Sequence, residues 1–211
     1  MTEPAKNIPL VFALKQEAKY FNPPPYVQIF FCGMGGKNAA NFTNEFIKTF
    51  NPQILFTCGF AGALNPELKL NSIVFSAPEQ TAGVLKRLGA IESRFYCSTR
   101  VICSSKEKLN LYQQTGADAV EMESGIIKNV CEKHNVACVV IRVISDTAYE
   151  DLPLDFNELI NANGKIKMFK LIARVSARPL LARRLLNFQK QTDAAARALG
   201  EFLNRFFKEI I

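Results

Sequence analysis

The residues of this chain best placed to do chemistry are two acidic segments, Ala119-Val120-Glu121-Met122-Glu123-Ser124 and Val140-Ile141-Arg142-Val143-Ile144-Ser145-Asp146. The run 136–144 is almost continuously apolar and β-branched, the pattern of a parallel strand buried on both faces. Ligand crevices in open parallel sheets lie outside the carboxyl ends of the strands, so an acid directly after such a run is aimed at the crevice. Ser145 and Asp146 are therefore site candidates; the competing reading makes them caps for free backbone amides in a turn. Glu123 carries the same ambiguity, because an acid at the start of the helix expected over 124–133 also gains from the helix dipole. The pair taken together favours chemistry, since two carboxylates at strand ends can divide acid and base roles.

The elements that must position these acids read as alternating strands and helices. A strand over 8–14 leads into Lys15-Gln16-Glu17-Ala18-Lys19, and a second strand over 27–32 follows the Pro23-Pro24-Pro25 loop. Gly33-Met34-Gly35-Gly36-Lys37-Asn38 is then a glycine-rich turn before a helix over 39–50, with backbone amides free to meet an anion or a sugar hydroxyl. It is neither a dinucleotide fingerprint nor a P-loop. A buried strand over 54–58 ends at a second small-residue turn, Gly59-Phe60-Ala61-Gly62-Ala63. A strand over 73–77, a hard-to-read stretch over 78–99, a short strand over 100–104 and a helix over 106–114 complete the path to the acidic segments. This alternation specifies an α/β protein: three αβα layers around a central, mostly parallel twisted sheet.

Composition narrows the class. With 211 residues, 48% of them hydrophobic and 21% charged, the chain can bury a substantial core as a single domain over 1–211. No apolar run reaches the roughly 18–20 residues of a membrane span, and no signal-peptide core is evident at the N-terminus, so a cytoplasmic protein is expected. The six cysteines form no CxxC pair and lie mostly in apolar runs, which makes them reduced core thiols and leaves no zinc site. The single histidine, His134, sits in a polar turn and makes a Ser-His-Asp triad a poor reading.

The net charge of +7 is concentrated near the C-terminus. Between 159 and 192 there are Lys165, Lys167, Lys170, Arg174, Arg178, Arg183, Arg184 and Lys190, and no acid. Apolar residues interleave with them and Pro179 breaks the pattern, so the part over about 157–211 reads as basic and amphipathic: either two core-facing helices with solvated basic faces, or a surface for the inner membrane or an acidic partner. Phe169 and Phe188 make no stacking platform, so nucleic acid is not the expected partner.

Ala13-Leu14-Lys15-Gln16-Glu17, Gly33-Met34-Gly35, Gly59-Phe60-Ala61-Gly62, Val120-Glu121-Met122-Glu123 and Ile144-Ser145-Asp146 stand in an order that resembles the nucleoside phosphorylase and nucleosidase superfamily. From 8 to 148 the chain resembles the methylthioadenosine/S-adenosylhomocysteine nucleosidase branch; from 146 onward it looks more like the hopanoid-associated nucleoside phosphorylases, whose proposed substrate is adenosylhopane. The resemblance implies cleavage of the N-glycosidic bond of a purine nucleoside, an adenosine modified at its 5′ position, by a homo-oligomer without metal or organic cofactor.

By the same resemblance, Glu123 holds the ribosyl hydroxyls, Met122 packs on the sugar, and Glu121, Gly35, Phe60, Ser145 and Ser104 complete the substrate-binding set. Asp146 protonates the leaving base and Glu17 activates the attacking water, an acid and base flanking one glycosidic bond. Where phosphate-using relatives carry an arginine and a serine beside the glycine, this chain has Thr57 and Phe60, which favours water over phosphate as nucleophile. Arg100 or a partner subunit's arginine is the remaining source of phosphate contacts. The segment that normally supplies the base-stacking ring is short here, leaving Phe95 and Tyr96 as candidates. Two other readings stand beside hydrolysis: phosphorolysis of adenosylhopane or a similar nucleoside, and a catalytically silent nucleoside-binding module.

Overall fold

The computed structural model describes residues 7–159 and 179–210. Strands β1 (Ile8–Phe12), β2 (Val27–Phe31), β3 (Ile54–Ala63), β4 (Ile73–Ser76), β5 (Ile91–Glu92), β6 (Phe95–Cys97), β7 (Ala119–Glu121) and β8 (Ala137–Asp146) form one mixed sheet. Its main path runs β2-β1-β3-β8-β4-β5, with β7 antiparallel to the far end of β3 and β6 parallel to β7. The central β2-β1-β3-β8 pairings are all parallel, and β4 is antiparallel to β8.

Side-chain alternation builds the layers. On β1, Leu10 and Phe12 point to one face and Val11 to the other; on β3, Phe56 and Leu55 divide in the same way. Val11 and Leu55 meet Ala39, Phe46 and Ile47 of α1 (Gly36–Phe50) and Ile127, Val130 and Cys131 of α4 (Ser124–Lys133). Leu10, Phe12 and Phe56 meet Leu85 of α2 (Glu79–Arg87) and Leu199, Phe202, Leu203 and Phe206 of α5 (Pro179–Glu209). The result is the three-layer αβα arrangement expected from the sequence. Helix α3 (Ser105–Thr115) sits beside β6 and β7, where Leu111 and Tyr112 pack with Leu64, Ile102 and Val120.

Two local expectations are corrected, and two stretches left open by the sequence are filled in. The small-residue stretch 59–63 is not a turn; β3 continues through it, and its glycines admit neighbouring carboxylates to the strand. The stretch 78–99 contains α2 and two short strands. The stretch 100–104 is not a strand: Val101 N–H and C=O bond to the Asn157 side chain, and Cys103 C=O accepts from Leu152 N–H, so an asparagine amide stands in for a neighbouring strand. Near the C-terminus, the described residues Pro179–Glu209 form one helix of 31 residues. The inner face of α5 from Thr192 to Phe207 is buried in the core. Arg183, Arg184 and Lys190 are exposed on its first half, while Lys165, Lys167, Lys170, Arg174 and Arg178 lie outside the described residues. Among the described residues, no helix is long and apolar enough to cross a membrane.

Candidate active site

Glu17 follows β1, Glu123 follows β7 and Asp146 ends β8, each held by a different device. Glu17 lies in the turn after β1 and is 5% exposed. Its Oε2 accepts from Leu14 N–H at 2.7 Å and its Oε1 from Phe60 N–H at 3.0 Å. Burial raises the Glu17 pKa, opposed by those two amides and by Arg142. Held by two backbone amides, this carboxylate is placed to accept a proton.

Glu123 follows β7, and its Oε1 accepts from Gly35 N–H at 2.6 Å. Gly35 has φ +87°, a conformation that L side chains rarely adopt, and this aims its amide at the acid. One amide of the glycine-rich turn is thus satisfied by the protein's own carboxylate. Burial pushes the Glu123 pKa up to about 7, against the pull of Gly35 N–H and with help from the negative charge of Glu121. Met122 packs over the same turn, its Cε 3.9 Å from where a Cβ on Gly35 would lie.

Glu121 turns inward. Its Oε2 accepts from Ser124 N–H at 2.6 Å, Glu123 N–H at 3.0 Å and Arg142 Nη2 at 3.1 Å. It therefore closes the first turn of α4, for which the Glu123 side chain makes no cap bond. Despite its burial, Arg142 and these amides hold its pKa below the ordinary carboxylate value.

Arg142 was not singled out as a site residue by the sequence reading, although a lone arginine inside an apolar strand is itself a signal, because a buried cation requires partners. It is 2% exposed. Nη1 donates to Thr57 C=O and Ile141 C=O, and Nη2 to Thr57 Oγ1 and Glu121 Oε2. Although burial opposes its charge, Glu121, Glu123 and Glu17 raise its pKa, so one guanidinium balances three surrounding acids. Thr57, uncharged in sequence, is the anchor of that arginine.

Asp146 ends β8 at a bulge: Ala61 pairs with Ile144 but Gly62 pairs with Asp146, leaving Ser145 as the extra residue. Bulges of this kind re-aim a side chain, and here the bulge places the acid rather than the serine opposite Gly62. Ser145 Oγ donates to Asp146 Oδ1 at 2.7 Å. Asp146 Oδ2 accepts from Lys108 Nζ of α3 at 2.5 Å, a buried ion pair that nothing in the sequence spacing indicated.

The other sequence candidates are placed differently. Phe60 contributes its backbone N–H to Glu17. Ser104 is exposed and caps α3 by accepting from Glu107 N–H, which sets the helix that carries Lys108. Phe95 packs with Ala61, Ala119 and Ile144, and Tyr96 with Ile102 and Val120. Arg100 pairs with Glu107.

Helix α5 holds the acid-bearing segments from behind. Gln191 Nε2 donates to Ser145 C=O at 2.8 Å, and Asp193 accepts from Tyr20 OH and from Lys19. Gly200 lies so close to Tyr20 that a Cβ there would sit 2.5 Å from the Tyr20 carbonyl carbon.

The sequence profile of the Phosphorylase superfamily matches residues 25–78 and 84–177. The aminodeoxyfutalosine nucleosidase of Helicobacter pylori strain J99 is 28% identical over 193 residues, covering 75% of this chain and 83% of that protein. The 5′-methylthioadenosine/S-adenosylhomocysteine nucleosidase of Shewanella halifaxensis is 27% identical over 177 residues, covering 67% of this chain and 77% of the relative. Among solved structures, a Helicobacter pylori nucleosidase of the latter class superposes with a TM-score of 0.72 at 17% identity, covering 98% of this chain and all of its own. The S-adenosylhomocysteine nucleosidase of Streptococcus pyogenes, complexed with 5-methylthiotubericidin, gives 0.72 at 12% identity, with full coverage of both chains. At such identities these structures establish likeness of fold. With more than half of its residues matched by the profile, the chain belongs to the Phosphorylase superfamily.

Proposed function

We propose that this protein is an enzyme that hydrolyses the N-glycosidic bond of a purine nucleoside, an adenosine modified at its 5′ position. The observation that carries the reading is the grouping of Glu17, Glu121 and Glu123 around the buried Arg142, with Asp146 at the end of the same strand as that arginine. Glu123, with one oxygen on Gly35 N–H, accepts hydrogen bonds from the ribosyl hydroxyls and offers negative charge to an oxocarbenium-like transition state. Glu17 takes the proton of the attacking water, and its elevated pKa suits that role. Asp146 delivers a proton to the departing purine. Met122 lies against the sugar, and Phe60 and Ser145 orient the two acids. Glu121 acts through Arg142 and the start of α4.

Water is favoured over phosphate because Arg142, the buried cation at Thr57, already faces three carboxylates, which repel a dianion. The names of the relatives support 5′-methylthioadenosine, S-adenosylhomocysteine or aminodeoxyfutalosine as the substrate class. The test is to incubate the protein with these three nucleosides and with adenosylhopane, with and without phosphate, and to assay free purine and the sugar product. Free sugar formed at a rate independent of phosphate is expected; ribose 1-phosphate formed only with phosphate overturns hydrolysis. No purine release from any substrate, with retained nucleoside binding, favours the silent binding module.

A further inference from the structure

Lys108 is fully buried, the one buried residue of α3. An ammonium in such a place costs folding energy that an apolar side chain would not, unless its partners give it a use. Nζ donates to Asp146 Oδ2 at 2.5 Å, Thr147 C=O at 2.8 Å and Glu150 C=O at 2.9 Å, so the three N–H groups of an ammonium have three acceptors. The same arrangement satisfies a neutral amine: two N–H groups remain on the two carbonyls while the nitrogen lone pair accepts from an Asp146 O–H. The site thus accommodates the proton on either side of the Lys108–Asp146 contact without moving a heavy atom.

Building on the proposed hydrolysis, we infer that Lys108 and Asp146 share one proton and deliver it as a unit to the leaving purine, Lys108 acting as the positioning residue that recharges the acid. As the bond from C1′ to the purine nitrogen breaks, its electron pair passes into the ring. A ring nitrogen takes the proton from Asp146, and Asp146 takes one from Lys108 Nζ, which becomes a neutral amine held by Thr147 C=O and Glu150 C=O. Water forms the new bond to C1′ and gives its proton to Glu17. After product release Glu17 loses that proton to solvent and Lys108 regains one, so nucleoside plus water yields purine plus free sugar.

The other charged groups around the pair have partners of their own. The Glu150 carboxylate accepts from Thr147 N–H and Gln191, and Asp151 accepts from Ser105 N–H at the start of α3. Arg184 of α5 acts on Asp151 together with Lys108, and Glu107 pairs with Arg100.

The test is the pH profile of kcat for wild type and Lys108→Met on whichever nucleoside the wild type cleaves, with thermal melts to show that the variant is folded. A proton that an amine and a carboxylate can both hold stays bound to higher pH than one held by the carboxylate alone. The alkaline arm of Lys108→Met is therefore expected to move to lower pH by about one unit or more, with kcat reduced about 100-fold where the wild type is flat and KM nearly unchanged. A loss equal at every pH, or no loss, overturns the inference and leaves hydrolysis standing; a wild type that cleaves nothing removes both.

Because Lys108→Met leaves a buried carboxylate without its counter-charge, the second comparison includes a double variant from which both charges are removed. Asp146→Asn and Asp146→Asn/Lys108→Met should have equal kcat, since either change already removes the shared proton. A further tenfold loss in the double variant overturns the inference.

Discussion

The Glu17 carboxylate occupies the space that a side chain at position 59 would need: a Cβ on Gly59 would lie 2.5 Å from Glu17 Oε1 and 3.0 Å from its carboxyl carbon. Gly59→Ala therefore displaces the proposed base rather than merely crowding the core. The expected outcome is a loss of about 1–3 kcal/mol in stability by urea unfolding, together with a fall in kcat of at least about tenfold. Gly83→Ala in α2, where no atom lies within 4 Å of the new Cβ, is the control: it should gain about 0.5–1 kcal/mol and keep its rate.

Glu17→Gln and Asp146→Asn remove the acceptor for the water proton and the donor for the base. Each is expected to lower kcat by roughly 10²–10⁴ while circular dichroism stays native. Rates within about threefold of wild type for either variant would take that residue out of the mechanism.

Arg142→Met leaves Glu121 buried without its cation, and should destabilise by about 3–5 kcal/mol in chemical denaturation. Removing both members of the pair, as Arg142→Met/Glu121→Met, should return a large part of that loss. A double variant no more stable than the single one would mean that the damage is a packing defect and not an unpaired charge.

The Glu123 pKa, raised from its ordinary value to about 7, fixes a sign for stability against pH. The folded state disfavours the ionised acid, so a penalty is present above pH 7 and is relieved as pH falls from about 7 toward 4.5, where the unfolded acid also binds its proton. Glu123→Gln lacks the penalty. Its Tm should exceed that of wild type at pH 8, by an amount equivalent to about 1–3 kcal/mol, and the two should converge near pH 5. A difference that is constant with pH would show that Glu123 does not titrate in this range.

Because strand ends follow from hydrophobic pattern, much of the molecule was legible in the chain. The β-branched run 136–144 gave β8, the apolar run over 8–14 gave β1, and Asp146 and Glu123 were found where the pattern stops. Glu17 and the glycine-rich turns were legible through the order of short motifs. The layered α/β architecture required nothing beyond periodicity.

The partners of those acids were decided by tertiary structure. Lys108 is separated from Asp146 by 38 residues and Glu121 from Arg142 by 21, and local pattern has no means of pairing charges across such distances. The bulge at Ser145 is likewise invisible locally, since it arises from the register between β3 and β8. Gly59 and Gly62 read as a turn because glycine is permissive, yet they extend β3, where a missing Cβ admits Glu17 and Asp146. Sequence by itself determined which acids reach the carboxyl ends of the strands, because burial of apolar residues sets those ends. Only the folded chain decided what each acid touches, because in a desolvated site every charge must find a partner and those partners come from distant elements.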